Sequence, residues 1–137
     1  IYAGMGERYA LYRATGFYCV TVEHEGQSYK LYGLGDVLTY PAFRKKGYGS
    51  ALIRKATDII RDDHNADIGL LWTQEHNFSF YENCGWERMP DVTITHGEKD
   101  NPDTEEETPF MLFFSDRAKA NRANFSRSPL YIGPDRW

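Results

Sequence analysis

The sequence predicts an α/β domain, and two observations carry that prediction. An antiparallel hairpin is written into residues 17–39. It is followed by an amphipathic helix framed by two strand-like runs, a β-α-β unit spanning residues 37–72. The chain has 137 residues, of which 41% are apolar, enough for one hydrophobic core. One domain over residues 1–137 is therefore expected.

Residues 17–23 are rich in aromatic and β-branched types and predict a strand. Glu25-Gly26 marks a turn, and residues 28–39 predict the returning strand. Gly33 and Gly35 lie inside that strand, where glycine marks a bulge or a close ligand approach. Residues 47–64 predict the main helix: Leu52, Ile53, Ala56, Ile59 and Ile60 fall on one face, and Arg54, Lys55, Arg61, Asp62 and Asp63 on the other. Asn65 is expected to close it in a left-handed conformation. The nearly continuous apolar run 67–73 suits a buried strand parallel to its neighbour.

A short helix over 77–84, closed by Gly85, is expected next, with a strand beginning at Trp86. Residues 92–96 and 110–114 are expected to be paired strands. Between them Glu98, Asp100, Asp103, Glu105, Glu106 and Glu107 face Lys99 alone. Ser115-Asp116 is expected to cap a helix running through Ala123. Residues 129–137 are apolar enough to pack back on the body. No internal repeat or low-complexity linker is visible.

The most informative stretch is Arg44-Lys45-Lys46-Gly47-Tyr48-Gly49, between the returning strand and the helix. The first turn of a helix leaves N–H groups unpaired at the positive end of its dipole, a ready anion site. Gly47 and Gly49 permit close approach of a phosphate, and three cations add full charge. The P-loop string is absent, and Leu52 stands where the dinucleotide fingerprint needs its third glycine.

Pro41, Arg44, Gly47 and Gly49 resemble motif A of the GCN5-related N-acetyltransferases. Tyr81-Glu82-Asn83-Cys84-Gly85-Trp86 resembles that family's Tyr-Glu-x-x-Gly-Phe/Trp string, in the correct order. The resemblance covers residues 17–89. It implies a mixed, mostly antiparallel twisted sheet with a splayed central parallel strand pair flanked by helices. The family begins with a strand and two helices, so the stretch before residue 17 is expected to be abbreviated or to lack an N-terminal portion.

The resemblance also implies acetyl-CoA as co-substrate. Val37, Leu38 and Thr39 would bond the pantetheine arm, with the amide of Val37 facing the thioester carbonyl. Arg44, Lys45, Lys46, Gly47, Tyr48, Gly49 and Ser50 would hold the pyrophosphate. Asn77 is added to this set, although it stands only four residues before Tyr81, closer than the family's usual two helical turns. Tyr81 takes the family's general-acid position, a phenol matched to a thiolate leaving group. For the base, Asp36 is the first candidate; Glu75, Glu23 and the terminal carboxylate of Trp137 follow.

The acceptor is read from charge. The acidic segment would draw in cations, and aromatic faces, 15% of the chain, suit ammonium groups. A polyamine- or aminoglycoside-like primary amine fits, with Asp135 and Trp137 bordering its pocket by a loose likeness to the aminoglycoside 2′-N-acetyltransferases. Two other readings share these residues: a peptide or lysine acetyltransferase, and a non-catalytic acyl-CoA sensor. A homodimer is compatible with either.

Net charge −4 argues against nucleic-acid binding, and no apolar run spans a bilayer. Cys19 and Cys84 have no metal-like spacing and are expected to be buried free thiols in a reducing, cytoplasmic setting. No secretory signal opens the sequence. His24, His64, His76 and His96 are expected at the surface, with no metal site.

Overall fold

The computed structural model describes residues 16–35 and 48–137. Asp36, Val37, Leu38, Thr39, Arg44, Lys45, Lys46 and Gly47 lie outside the described residues. Strands β1 (Gly16–His24) and β2 (Gln27–Gly35) form the expected hairpin. Its two-residue turn has positive φ at both Glu25 (46°) and Gly26 (79°), the geometry that matches strand twist in tight hairpins. Helix α1 (Tyr48–Arg61) then crosses over to β3 (Ile68–Thr73). A single 3-10 turn, Glu75–Asn77, leads into α2 (Phe78–Asn83). The remaining elements are β4 (Glu87–Arg88), β5 (Ile94–His96), β6 (Asp103–Thr104), β7 (Thr108–Phe113), α3 (Asp116–Ala120), a 3-10 segment Arg122–Ser126, and β8 (Leu130–Tyr131). Among the described residues no helix is long and apolar enough to cross a membrane.

Five strands make one sheet in the order β1-β2-β3-β7-β4. Among the described strands only β2 and β3 run parallel in it, the pairing that an intervening helix such as α1 allows. Their pairing stops at Gly33↔Leu70. Beyond that point β2 stays with β1, through Phe17↔Leu34 and Gly16↔Gly35. β3 stays with β7, through Leu71↔Phe110, Trp72↔Pro109 and Thr73↔Thr108. The sheet is thus split into two halves at one end, which is the expected splay.

Strand alternation sends the two faces to separate cores. On one face Ile53, Ala56 and Ile60 of α1 are fully buried against Leu34, Leu71, Trp86 and Phe110. Each such aliphatic side chain contributes about 1.5–3 kcal/mol on burial. The opposite face packs Leu31, Ile68, Leu70 and Met111 against Ile94, Ala118, Phe125, Leu130 and Trp137.

Several expectations are corrected. Residues 92–96 and 110–114 do not pair. β5 joins β6 and β8 in a separate three-stranded sheet, because residues 129–137 return and supply β8 as a parallel partner; β7 is taken by β3 and β4. Helix α1 stops at Arg61. Asn65 is not left-handed: its N–H donates to Asp63 Oδ1 (2.9 Å), and this side-chain turn redirects the chain. Ser115 does cap α3, accepting from the Ala118 N–H at 3.1 Å, but the α-helix ends at Ala120 and continues as a 3-10 segment. Cys19 is exposed, since it alternates to the solvent side of β1, whereas Cys84 is buried. His24 is buried: its ring stacks on Phe125 at 4.6 Å, and its Nε2 contacts Ser128 O (3.0 Å) and Oγ (3.1 Å). His96 is half-buried, while His64 and His76 are exposed.

Polar links hold the crossover in register. Asp67 Oδ2 accepts from the Lys30 N–H (2.8 Å) and from Arg117 (3.1 Å). Asp63 accepts from Lys30 Nζ (2.6 Å) and Tyr32 OH (2.5 Å). Lys30, then Tyr32 and the Asn65 N–H, hold the Asp63 carboxyl well below its usual range. The same bond to Asp63, with burial, pushes the Tyr32 phenol up to about 12.

A carboxyl depressed in the folded state adds stability above its unfolded value, near pH ~4, and loses it as pH falls toward the folded value. Asp63→Asn should therefore lower the melting temperature at neutral pH, with a deficit that shrinks below about pH 4, where protonation of the unfolded parent chain progressively removes this contribution. A deficit independent of pH in thermal scans would assign the effect to packing.

Candidate functional site

The split between β2 and β3 opens a cleft of about 210 Å³. Leu34 and Gly35 form one side, and Leu71, Trp72 and Thr73 the other. Asn77 and Tyr81 close it from α2, and Glu107, Arg136 and Trp137 from the later elements. A larger hollow of about 320 Å³ lies by β4 and the 3-10 segment 122–126. Its guanidinium groups are engaged, Arg88 with Glu82 and the Phe78 ring, Arg122 with Glu87.

Tyr81 is placed by the way α2 ends. Gly85, at φ +93°, lets the Gly85 N–H reach Glu82 O (3.0 Å) and the Trp86 N–H reach Tyr81 O (3.1 Å). This is the paired closure that a left-handed glycine makes possible. Trp86 is then pinned under α1: its Nε1 donates to Thr57 Oγ1 (3.0 Å), and Gly69 leaves room for its ring. The Tyr81 ring packs on Phe80 and Phe110. Burial, then the neighbouring Cys84 and Glu107, push the phenol up to about 12. Tyr81 is accordingly a neutral O–H donor at physiological pH. Asn77 also faces the cleft, its Nδ2 donating to Thr73 Oγ1 at 3.0 Å.

The first turn of α1 carries no acidic residue. Gly49 there is buried and Ser50 half-buried. Ser50 Oγ meets Cys84 Sγ at 3.5 Å, and Arg54 donates to Asn83 O at 2.8 Å. The positive end of α1 is thereby tied to the end of the helix that holds Tyr81. Of the expected pyrophosphate residues, only Tyr48, Gly49 and Ser50 are described.

Gly33 and Gly35 do mark a close approach, but by the chain's own Trp137. A Cβ at Gly33 would lie 2.2 Å from the indole, and one at Gly35 2.9 Å from it. The indole also stacks on Tyr18 (5.4 Å) and packs at a tilt on Trp72 (5.1 Å). Trp137 therefore borders the cleft, with its Nε1 buried and without a partner among the described residues. Asp135 is exposed and does not line the cleft. Glu75 and Glu23 are exposed as well, and Glu23 accepts from Ser28.

Sequence reasoning missed Glu107 and Arg136 as cleft residues. Arg136 grips Glu105 with two bonds, Nε to Oε2 (2.7 Å) and Nη2 to Oε1 (3.0 Å), and reaches Glu107 Oε1 at 3.4 Å. His96 Nε2 lies 3.5 Å from Glu105 Oε2. Burial pushes the Glu105 carboxyl up, but Arg136, the Glu107 N–H and His96 outweigh it, and it sits below its usual value. The acidic segment is thus partly neutralised from within. The available signal was the i, i+2 spacing of Glu105 and Glu107, which puts both on one side of an extended segment. Nothing local pointed to Arg136.

The family model for the acetyltransferase (GNAT) domain matches residues 5–89, more than half of the chain. The chain belongs to this family. No curated protein gives a match. Among solved structures, it is similar to a mutant AtaT toxin bound to the C-terminus of the antitoxin AtaR and acetyl-CoA, at 11% identity and TM-score 0.54, over 77% of this chain and 60% of that one. It is also similar to a probable N-acyltransferase of Enterococcus faecalis V583, at 21% identity and TM-score 0.44, over 64% of this chain and 26% of that one. A third likeness is to aminoglycoside acetyltransferase AAC(6')-Ib in complex with coenzyme A and kanamycin, at 16% identity and TM-score 0.45, over 89% and 78%. At such identities the AtaT likeness is one of fold, and this chain spans less than two thirds of the first two structures.

Gly33→Ala should evict the Trp137 indole, at a cost of about 1–3 kcal/mol for overpacking. Tryptophan emission should shift to the red and quenching by acrylamide should rise. Unchanged emission would mean the indole does not need the glycine.

Proposed function

We propose that this chain is an acetyl-CoA-dependent N-acetyltransferase acting on a primary amine of a small cationic acceptor, polyamine- or aminoglycoside-like. The observation that carries this reading is a neutral phenol and a carboxylate, Tyr81 and Glu107, facing one cleft where a parallel strand pair comes apart. Family membership supports the reaction class.

Coenzyme A fits the residues present. The first turn of α1 offers N–H groups at Gly49 and Ser50 with no opposing carboxylate, and Arg44, Lys45 and Lys46 precede it in sequence. Where β2 and β3 part, backbone groups are released from sheet pairing and can bond an extended arm. The amine nitrogen attacks the thioester carbonyl, the carbon–sulfur bond breaks, and the departing thiolate takes a proton. Tyr81 is the donor of that proton. The acceptor's ammonium must lose one proton before its nitrogen can attack, and Glu107 is the acceptor of that proton that the described residues offer, directly or through water. Asp36 is the second candidate, from the sequence alone. The second proton, lost by the nitrogen once the carbon–nitrogen bond has formed, restores Tyr81. Trp72 and Trp137 line the same cleft with their rings packed on each other.

Tyr81→Phe should lower turnover by about 10²–10⁴-fold, the usual range for a general acid, while leaving coenzyme A affinity unchanged in calorimetry. Full turnover in that variant would favour a sensor role or another acid. Arg44→Ala should weaken coenzyme A binding by about 1.5–3 kcal/mol, the worth of a charge-assisted bond. Unchanged affinity would remove the basic turn from the site.

A further inference from the structure

Two carboxylates and an indole face are what recognises an alkylammonium or guanidinium group. Glu107 and Trp72 line the cleft, buried Glu105 accepts from the Glu107 N–H beside it, and Arg136 already reaches all three. Its guanidinium forks onto Glu105, touches Glu107 at 3.4 Å, and lies 5.5 Å from the centre of the Trp72 ring. The Glu105 side chain is only 4% exposed, so it requires a cationic partner in place. The Arg136 side chain is 48% exposed, so core packing does not lock it there. Among the described residues this wall sets the carboxylates of Glu105 and Glu107 against the guanidinium of Arg136. His96 faces Glu105 from β5 and would compensate more of it when protonated.

We propose that Arg136 is a specificity-determining residue. It supplies from within the chain one of the positive charges that Glu105 and Glu107 would otherwise take from the acceptor. It thereby sets how many cationic groups the cleft admits. The inference rests on the acetyl-transfer reading for its account of what enters the cleft, and it deepens that reading by relating the charge of the acceptor to one side chain. A purely structural arginine would stabilise the segment 130–137 without altering the choice between acceptors of equal length.

The test uses n-butylamine and 1,4-diaminobutane, which share a carbon chain and differ by one cationic group. Affinities are measured by calorimetry without acetyl-CoA, and thiol release is measured separately with it. Arg136→Gln should raise the preference for the diamine over the monoamine by about 10-fold relative to the parent, one charge-assisted contact's worth. Arg136→Lys, which keeps the charge, should leave the preference near the parent value. If Arg136→Gln does not fold, Glu107→Gln decides. It leaves the Arg136–Glu105 fork intact and should move the preference toward the monoamine. An unchanged preference in folded Arg136→Gln, or in Glu107→Gln where the former is unfolded, overturns the proposal, as does failure of the parent to bind either amine. Absence of thiol release with both amines, beside the predicted shift in affinities, would overturn the transfer reading and leave the role of Arg136 standing.

Discussion

Parallel pairing between β2 and β3 ends at Gly33 and Leu70, and the cleft is the space that this ending leaves. Each strand keeps a hydrogen-bonded neighbour on its outer side, so neither half of the sheet loses its scaffold when the two diverge. The inner edges meanwhile carry backbone donors and acceptors without sheet partners in each other. A buried polar backbone must find partners, and a ligand laid along the split can supply them. The rest of the site follows from this one interruption. α1 crosses over it, α2 closes it, and the Trp137 indole rests on the glycines beside it.

The elements legible in sequence were those set by local pattern. Residues 17–35, the face of α1 and the run 68–73 each bury residues at the period their conformation requires, so hairpin, helix and parallel strand could be read directly. The Tyr81-to-Trp86 string was legible because one glycine with a special backbone angle fixes both ends of it. Gly33 and Gly35 were read as a site of close approach, but the identity of the visitor was not. An indole more than a hundred residues away leaves no local trace.

The later third was harder for the same reason. β5 is too short to show a period, and its partners come from both sides: β6 a few residues on, β8 more than thirty residues on. The run 110–114 was read correctly as a strand and given the wrong neighbour, since alternation identifies a strand but not its place in a sheet. Charge gave a similar partial view. The acidic segment was plain from composition, whereas its internal compensation by Arg136 depends on how residues 130–137 fold back. Composition counts charges; it does not pair them.

The closure of α2 ties a reacting group to a count of residues. From Tyr81 to Gly85 the chain makes little more than one helical turn, and both ends are fixed, one by the ring's packing on Phe110 and the other by Trp86 beneath α1. A residue inserted or deleted within that turn would swing the phenol by about 100°, away from the cleft, even with every side chain retained. Length within this turn is accordingly as constrained as identity, and divergence in it would be tolerated by exchange of residues but not by a change in their number.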